Sequence, residues 1–435
     1  MYHHRDTFYL YYLMGTQLTW NGVGAAVSRD GIHWEDRGRV IGAADDVLWL
    51  GSGAVWAAAD DEAGERFIMN FSEWRGSHEE GRQTIFFAES RDLLTWTRVD
   101  RTYEFPQDER WYEPQGRWDC IAPLSRPDGG YYGYWTANVK DGKPGLGFGE
   151  SRDGVAWNAL ESPVVSGVTH VEVGAAHEWK GRYYVVVSGW GSELESATMR
   201  VLVGDSPLGP FAPTQKNQGL LVGNASYFSR FVDLPGEVLV NHQSWIPVTD
   251  SETDFAQDVH LAPLKKAEWD EQGTLRMTWW PGNDRAKDER LRVDLPQAAG
   301  PSVPALLDPP FDRDRTLILE GVLTLPSAAD GSVTGVYLDG SAEAATAFLV
   351  RPGGAADYGS IRSDGTEFQP EGHVDRELDL SGTVRFRLVR KGRMTELYLD
   401  DVLMQCYCLP ESGTGRIGLL GGPERFGDLA GWYCS

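Results

Sequence analysis

The feature that most constrains this chain is an internal repeat. The pattern Ser-x-Asp-x-x-x-Trp occurs at Ser28, Asp30 and Trp34, at Ser90, Asp92 and Trp96, and at Ser151, Asp153 and Trp157. A weaker copy starts at Asp205 and Ser206 and ends on Phe211. The copies stand roughly 60 residues apart, a period that implies supersecondary units arranged in a stack or a ring. Before each copy come a run rich in aromatic and β-branched residues and then a run of small ones. The first kind covers 7–13, 66–71, 131–136, 182–188 and 237–242; the second covers 22–27, 83–89, 145–150 and 199–204. Runs of this length, closed by Asp-Gly or Asp-Leu turns, read as strands. Four short strands per unit and five units, the last returning through 259–263 and Trp269, predict an all-β chain that opens with a five-bladed β-propeller over 1–290. The repeat tryptophans are expected to pack blade against blade.

The pattern stops after Trp279, Trp280 and Pro281. Residues 291–304, with their Pro and Ala, read as a linker. Residues 305–435 hold short alternating runs at 316–325, 333–338, 347–351, 384–390, 396–399, 402–408 and 415–420, with Asp400 and Asp401 as a hairpin turn. That is the pattern of a C-terminal β-sandwich. Plain structural support is its expected role, with packing on the propeller or homo-oligomer formation as the other uses.

Composition removes several function classes. A formal net charge of −24 on 435 residues argues against nucleic acid or an anionic membrane as partner. No apolar run approaches the ~20 residues of a membrane span, and no leader segment is visible, so a cytoplasmic setting is expected. The four cysteines form no disulfide framework, since Cys406 and Cys408 share one face of a strand. No Cys/His spacing suits zinc, and nothing calls for a metal or another cofactor.

The innermost strand of each blade lines the central channel, so residues far apart in sequence converge there. Blade two supplies Trp49, Leu50, Gly51, Ser52 and Gly53. Blade three supplies Arg117, Trp118, Asp119 and Cys120. Blade four supplies His170, Val171, Glu172, Val173 and Gly174, and blade five Tyr227, Phe228, Ser229 and Arg230. Asp119 and Glu172 fall at matching places in their units and are flanked by apolar or small residues. An acid there is costly unless it is paired or functional. Two acids facing one cavity repel, which raises the proton affinity of one; that is the arrangement that splits a glycosidic bond. The structural alternative has both acids bridged to Arg117 or Arg230. Trp20, Trp49, Trp74, Trp118, Trp135 and Trp190 fall near inner strands or the loops leaving them. Indoles beside carboxylates suit a small carbohydrate, although any single Trp is more often core. His170 and His242 are further candidates for bonding sugar hydroxyls.

At these residues the chain resembles glycoside hydrolase family 32, the β-fructofuranosidases, invertases and levanases. That family's Arg-Asp-Pro is similar to Arg117, Trp118, Asp119 and Cys120, with Trp118 inserted and Cys in place of Pro. Its Glu-Cys-Pro is similar to Glu172, Val173 and Gly174. Its Ser-x-Asp-x-x-His-Trp-Glu is matched by Ser28, Asp30, His33, Trp34 and Glu35, its second-blade Ser-Gly-Ser resembles Gly51, Ser52 and Gly53, and a sandwich strand resembles 387–398. The resemblance implies a glycoside hydrolase acting on a small furanoside, with Glu172 as general acid/base and Asp119 as the carboxylate that holds sugar hydroxyls and stabilises the oxocarbenium charge. Arg117, Trp118, Trp49, Trp20, Trp135 and His170 would bind substrate. It also implies a nucleophilic Asp shortly before Tyr2 and His3, on an inner strand expected to lie ahead of residue 1. Related five-bladed enzymes cleave arabinofuranosides or phosphorolyse mannosides. A sugar-binding propeller without turnover is a third reading.

Overall fold

A computed structural model describes residues 1–15, 20–58, 64–77, 79–168, 171–189, 199–214, 220–222, 226–247, 257–295, 304–327, 334–339, 344–362, 364–378, 380–409 and 414–435. The fold is all-β, a five-bladed β-propeller followed by a β-sandwich. The chain divides into two compact units. The first is 1–214 with 228–242 and 249–256; the second is 215–227, 243–248 and 257–435.

In the first unit the sheets follow one another as antiparallel blades. Blade one is Tyr2–His4, Thr7–Met14, Gly22–Ser28 and Glu35–Gly42. Its first strand pairs His3 with Phe8. Blade two pairs both Trp49–Gly51 and Val55–Ala57 with Phe67–Arg75, then adds Arg82–Ser90 and Thr97–Arg98. Blade three is Trp118–Ser125, Tyr131–Ala137, Gly147–Ser151 and Trp157–Leu160. Blade four is Val171–Trp179, Arg182–Gly189, Met199–Gly204 and Ala212–Pro213.

The repeat signature is a turn staple. Ser28 Oγ accepts the Gly31 N–H at 2.8 Å and donates to Asp30 at 3.0 Å, whose carboxylate also accepts the Ile32 and His33 N–H groups at 2.9 Å each. Ser90 with Asp92 and Ser151 with Asp153 repeat these bonds to within a few tenths of an ångström. Short polar side chains that bond the backbone two and three residues on hold such turns. The aromatic that closes the signature then reaches the neighbouring blade. Trp96 meets Tyr11 at 5.7 Å and Trp157 meets Trp56 at 6.1 Å, both edge to face.

One sheet opens on the blade-five strands Ser226–Leu234 and Glu237–Pro247 and runs through Lys265–Trp269, Leu275–Trp279, Val402–Cys408, Met394–Leu399, Thr383–Lys391, Thr316–Thr324 and Phe426–Cys434 to Lys287–Leu291. The other sheet orders Ala305–Leu306, Ile417–Leu420, Thr334–Asp339, Ala344–Val350, Ala355–Arg362 and Gln369–Asp375. Leu319, Phe348, Leu388, Leu397 and Leu419 fill the space between them. No helix among the described residues is long and apolar enough to cross a membrane.

Candidate active site

The inner strands of blades three and four carry the candidate acids, and each is bulged just past its acid. In Trp118–Ser125 the register shifts between Asp119 and Ala122, with Cys120 at φ +63°. In Val171–Trp179 it shifts between Val173 and Ala175. Blade two breaks its inner strand outright between Gly51 and Val55, and blade five places Phe228 at φ +51°. A bulge bends a strand and re-aims its side chains, and bulges gather beside active sites.

Asp119 and Glu172 are brought together on one cation. Both are buried, at 4 % and 6 % exposure. Arg117 donates through Nη2 to Asp119 at 3.2 Å and through Nη1 directly to Glu172. Its Nε donates to Gln83 Oε1 at 2.8 Å; Gln83 Nε2 donates to Ser72 Oγ at 3.1 Å, and Ser72 donates to Asp119 Oδ1 at 2.6 Å. The ring of bonds closes on Asp119 and fixes the guanidinium from three sides. Burial works against the charge on Arg117, but the Glu172 and Asp119 carboxylates outweigh it and hold the group above its ordinary value. Thr136, the cross-strand partner of Asp119, accepts the Val173 N–H at 3.0 Å and so ties the two acid-bearing strands together.

Two backbone contacts fix the depth of the site. Gly51 lies against Asp119: a Cβ there would sit 2.2 Å from Ser72 Oγ and 2.7 Å from Asp119 Oδ1. Gly174 lies against blade five, where a Cβ would sit 2.5 Å from the Ser229 carbonyl. Cys120 is fully buried, with its thiol on the Ser52 carbonyl at 2.9 Å; burial first, and then Asp119, raise it well above a normal thiol. It is neither nucleophile nor ligand in this state.

Trp118 and Trp135 are corrected. Neither has any exposed surface, and they pack ring to ring at 5.1 Å with Phe105 and Tyr112 in the core between blades. Adjacent residues on a strand face opposite ways, so Trp118 turns away from the side that Asp119 faces. Trp135, next to Thr136, does likewise. Trp49 and Trp20 remain half-buried. Trp49 stacks on Trp74 at 4.6 Å, and the Trp20 carbonyl accepts the Leu50 N–H at 2.9 Å beside blade two's inner strand. His170 and Trp190 lie outside the described residues. Sequence reasoning missed Ser72 and Gln83. The available signal was a strand, Phe67–Arg75, whose apolar run also carries Asn70, Ser72 and Glu73, all buried.

No protein-family model matches the sequence, and no curated protein matches it significantly. Solved structures do. The chain is similar to a sucrose-6-phosphate hydrolase from Lactobacillus gasseri, with 13 % identity and a TM-score of 0.72 over 99 % of this chain and 88 % of that one. It is similar to a β-fructofuranosidase of glycoside hydrolase family 32 from Bombyx mori, again with 13 % identity and a TM-score of 0.72, over 100 % and 89 %. A fructan 1-exohydrolase from Cichorium intybus aligns with 11 % identity and a TM-score of 0.64 over 100 % and 94 %. At these identities the likeness is one of fold, and it runs through propeller and sandwich alike.

Proposed function

We propose that this chain is a glycoside hydrolase of the β-fructofuranosidase kind, acting on a small furanoside at the pit between blades three and four. The observation that carries the reading is the shared guanidinium: two acids at equivalent inner-strand positions of successive blades, both buried, both held by Arg117. Glu172 is the acid/base. It gives a proton to the leaving glycosidic oxygen and then takes one from water. Asp119, braced by Ser72, accepts from sugar hydroxyls and opposes the positive charge that develops on the sugar ring. Trp20 and Trp49 offer half-buried indole faces for the sugar to stack on. The fold shared with hydrolases and exohydrolases of sucrose phosphate and fructan supports this substrate class.

Glu172 must leave Arg117 before it passes a proton to the leaving oxygen, because the guanidinium occupies one of its carboxylate oxygens. Sugar hydroxyls that bond to Arg117 would release it. The test is release of reducing sugar from sucrose and 1-kestose by wild type, Glu172→Gln and Asp119→Asn. Both variants should lose turnover by a factor of about 10² or more; full turnover by Glu172→Gln would reject its role. The same ion pair favours a second reading, a sugar-binding propeller without turnover. Saturable fructoside binding by wild type with no product formed would select it.

A further inference from the structure

Arg230 stands on the inner strand of blade five, Ser226–Leu234. Its Nη1 donates to the carbonyl of Gly174, two residues past Glu172, and its guanidinium lies 5.1 Å over the Phe228 ring. Its Nη2 is buried and has no hydrogen-bond partner, and no carboxylate among the described residues pairs with it. Burial raises the Cys120 thiol most, and Asp119, Arg230, Glu172 and Arg117 all act on it, so the four charged groups lie near that thiol. Ser188, directly across the ladder from Glu172, adds a buried hydroxyl without a hydrogen-bond partner.

A half-buried cation with a buried, unbonded N–H and, among the described residues, a peptide carbonyl as its hydrogen-bond acceptor is expensive. A neutral hydroxyl would satisfy the free N–H but leave the charge uncompensated. An oxyanion does both, and a guanidinium fork with one arm anchored and one arm free is preorganised to take it. We propose that Arg230 is the oxyanion-recognising residue of the pit, so that the sugar handled there either carries a phosphate or carboxylate group or is bound alongside free inorganic phosphate. This rests on the pit being the sugar site and names its substrate class. If free phosphate is the partner, one of its oxygens bonds to the anomeric carbon as the glycosidic C–O bond breaks. The leaving oxygen then takes the proton from Glu172.

Calorimetric titration with inorganic phosphate, and separately with sulfate, tests the site without any sugar. Wild type should bind phosphate in the millimolar range or tighter. Arg230→Met should weaken it about tenfold or more, and Arg230→Lys, which keeps the charge, should retain part of it. Matching far-ultraviolet dichroism and denaturation midpoints would show both variants folded. In a Glu172→Gln background, fructose 6-phosphate binding about tenfold tighter than fructose, with the preference lost in Arg230→Met, assigns the oxyanion to the sugar. Equal binding of the two sugars, with glycoside consumption by wild type that requires phosphate, assigns it to free phosphate. No phosphate or sulfate binding in the millimolar range, or equal binding by Arg230→Met, overturns the proposal. If phosphate binds through Arg230 but no glycoside is turned over, the hydrolase reading falls and this one stands; loss of turnover in Glu172→Gln without anion binding gives the reverse.

Discussion

Replacing Arg117 by Met isolates the physics of the pit without requiring a substrate. The substitution keeps most of the side-chain volume and removes the cation shared by Asp119 and Glu172. Breaking a fully buried ion pair by deleting one partner costs about 3–5 kcal/mol. Here both carboxylates are buried but the Arg117 side chain is 37 % exposed, so water screens part of the contact. A loss of roughly 2–3 kcal/mol is therefore expected at neutral pH. The sharper test is a mutant cycle. Arg117→Met leaves two carboxylates buried without their cation, so adding Asp119→Asn and Glu172→Gln should recover most of the loss. Urea denaturation midpoints, compared at constant m, measure it. Losses that simply add across the three substitutions would refute the shared-cation argument.

Three further outcomes follow from other parts of the molecule. Lys265 and Glu396 form an ion pair with 0 % exposure on both sides, completed by Tyr398 donating to Glu396 at 2.6 Å; Lys265→Met should cost ~3–5 kcal/mol, whereas the triple Lys265→Met, Glu396→Met, Tyr398→Phe should recover most of it, and equal losses in urea midpoints would contradict this. Burial works against the charge on Asp30, Asp92 and Asp153, but the His33 side chain at Asp30 and the backbone N–H groups of the turn staples at all three hold them below the ordinary 3.8; their contribution is present above the unfolded value and is lost as pH falls through the folded one, so a triple Asp→Asn variant should show a shallower acid limb below about pH 4 in a thermal-midpoint series. Gly51→Ala drives a methyl against Ser72 and Asp119; about 1–3 kcal/mol of stability should go with it, and turnover should drop by up to about 10² as Asp119 shifts, so an unchanged midpoint and rate would show the approach to be slack.

What the sequence disclosed is local, and what it hid is not. The turn staples were legible because Ser and Asp bond the backbone within three residues, so their spacing survives in one dimension. The pairing of Asp119 with Glu172 was legible because repeat units set equivalent positions side by side. Trp118 was misassigned by treating proximity in sequence as proximity in space; strand alternation sends it to the opposite face from Asp119. Ser72 and Gln83 belong to blade two's second and third strands and reach Asp119 and Arg117 only through the ring packing of blades. In the sandwich, Ala355–Arg362, Gln369–Asp375 and Phe426–Cys434 were not foreseen. The first is built of small residues, the second is largely exposed and polar, and the third mixes Gly and Asp with aromatics, so none shows a clean period of two.

Buried acids alone do not mark a site, and the contrast within this chain says what does. Glu73 has no exposure and is met by two arginines, Arg75 and Arg98, each at 2.7 Å. Glu396 has a lysine of its own and a tyrosine hydroxyl. Each of these carboxylates has its own cation, and nothing is gained by adding a ligand. Asp119 and Glu172 instead divide one guanidinium, while a second, Arg230, bonds among the described residues to the Gly174 carbonyl. Pairing Arg230 with Glu172 would have relieved both, yet the bulges after Asp119 and Val173 hold the groups in the arrangement seen. Local rules are broken most often where a ligand completes them. A sugar whose hydroxyls take over part of Arg117, with an oxyanion on Arg230, would satisfy the charges left mismatched around Asp119 and Glu172.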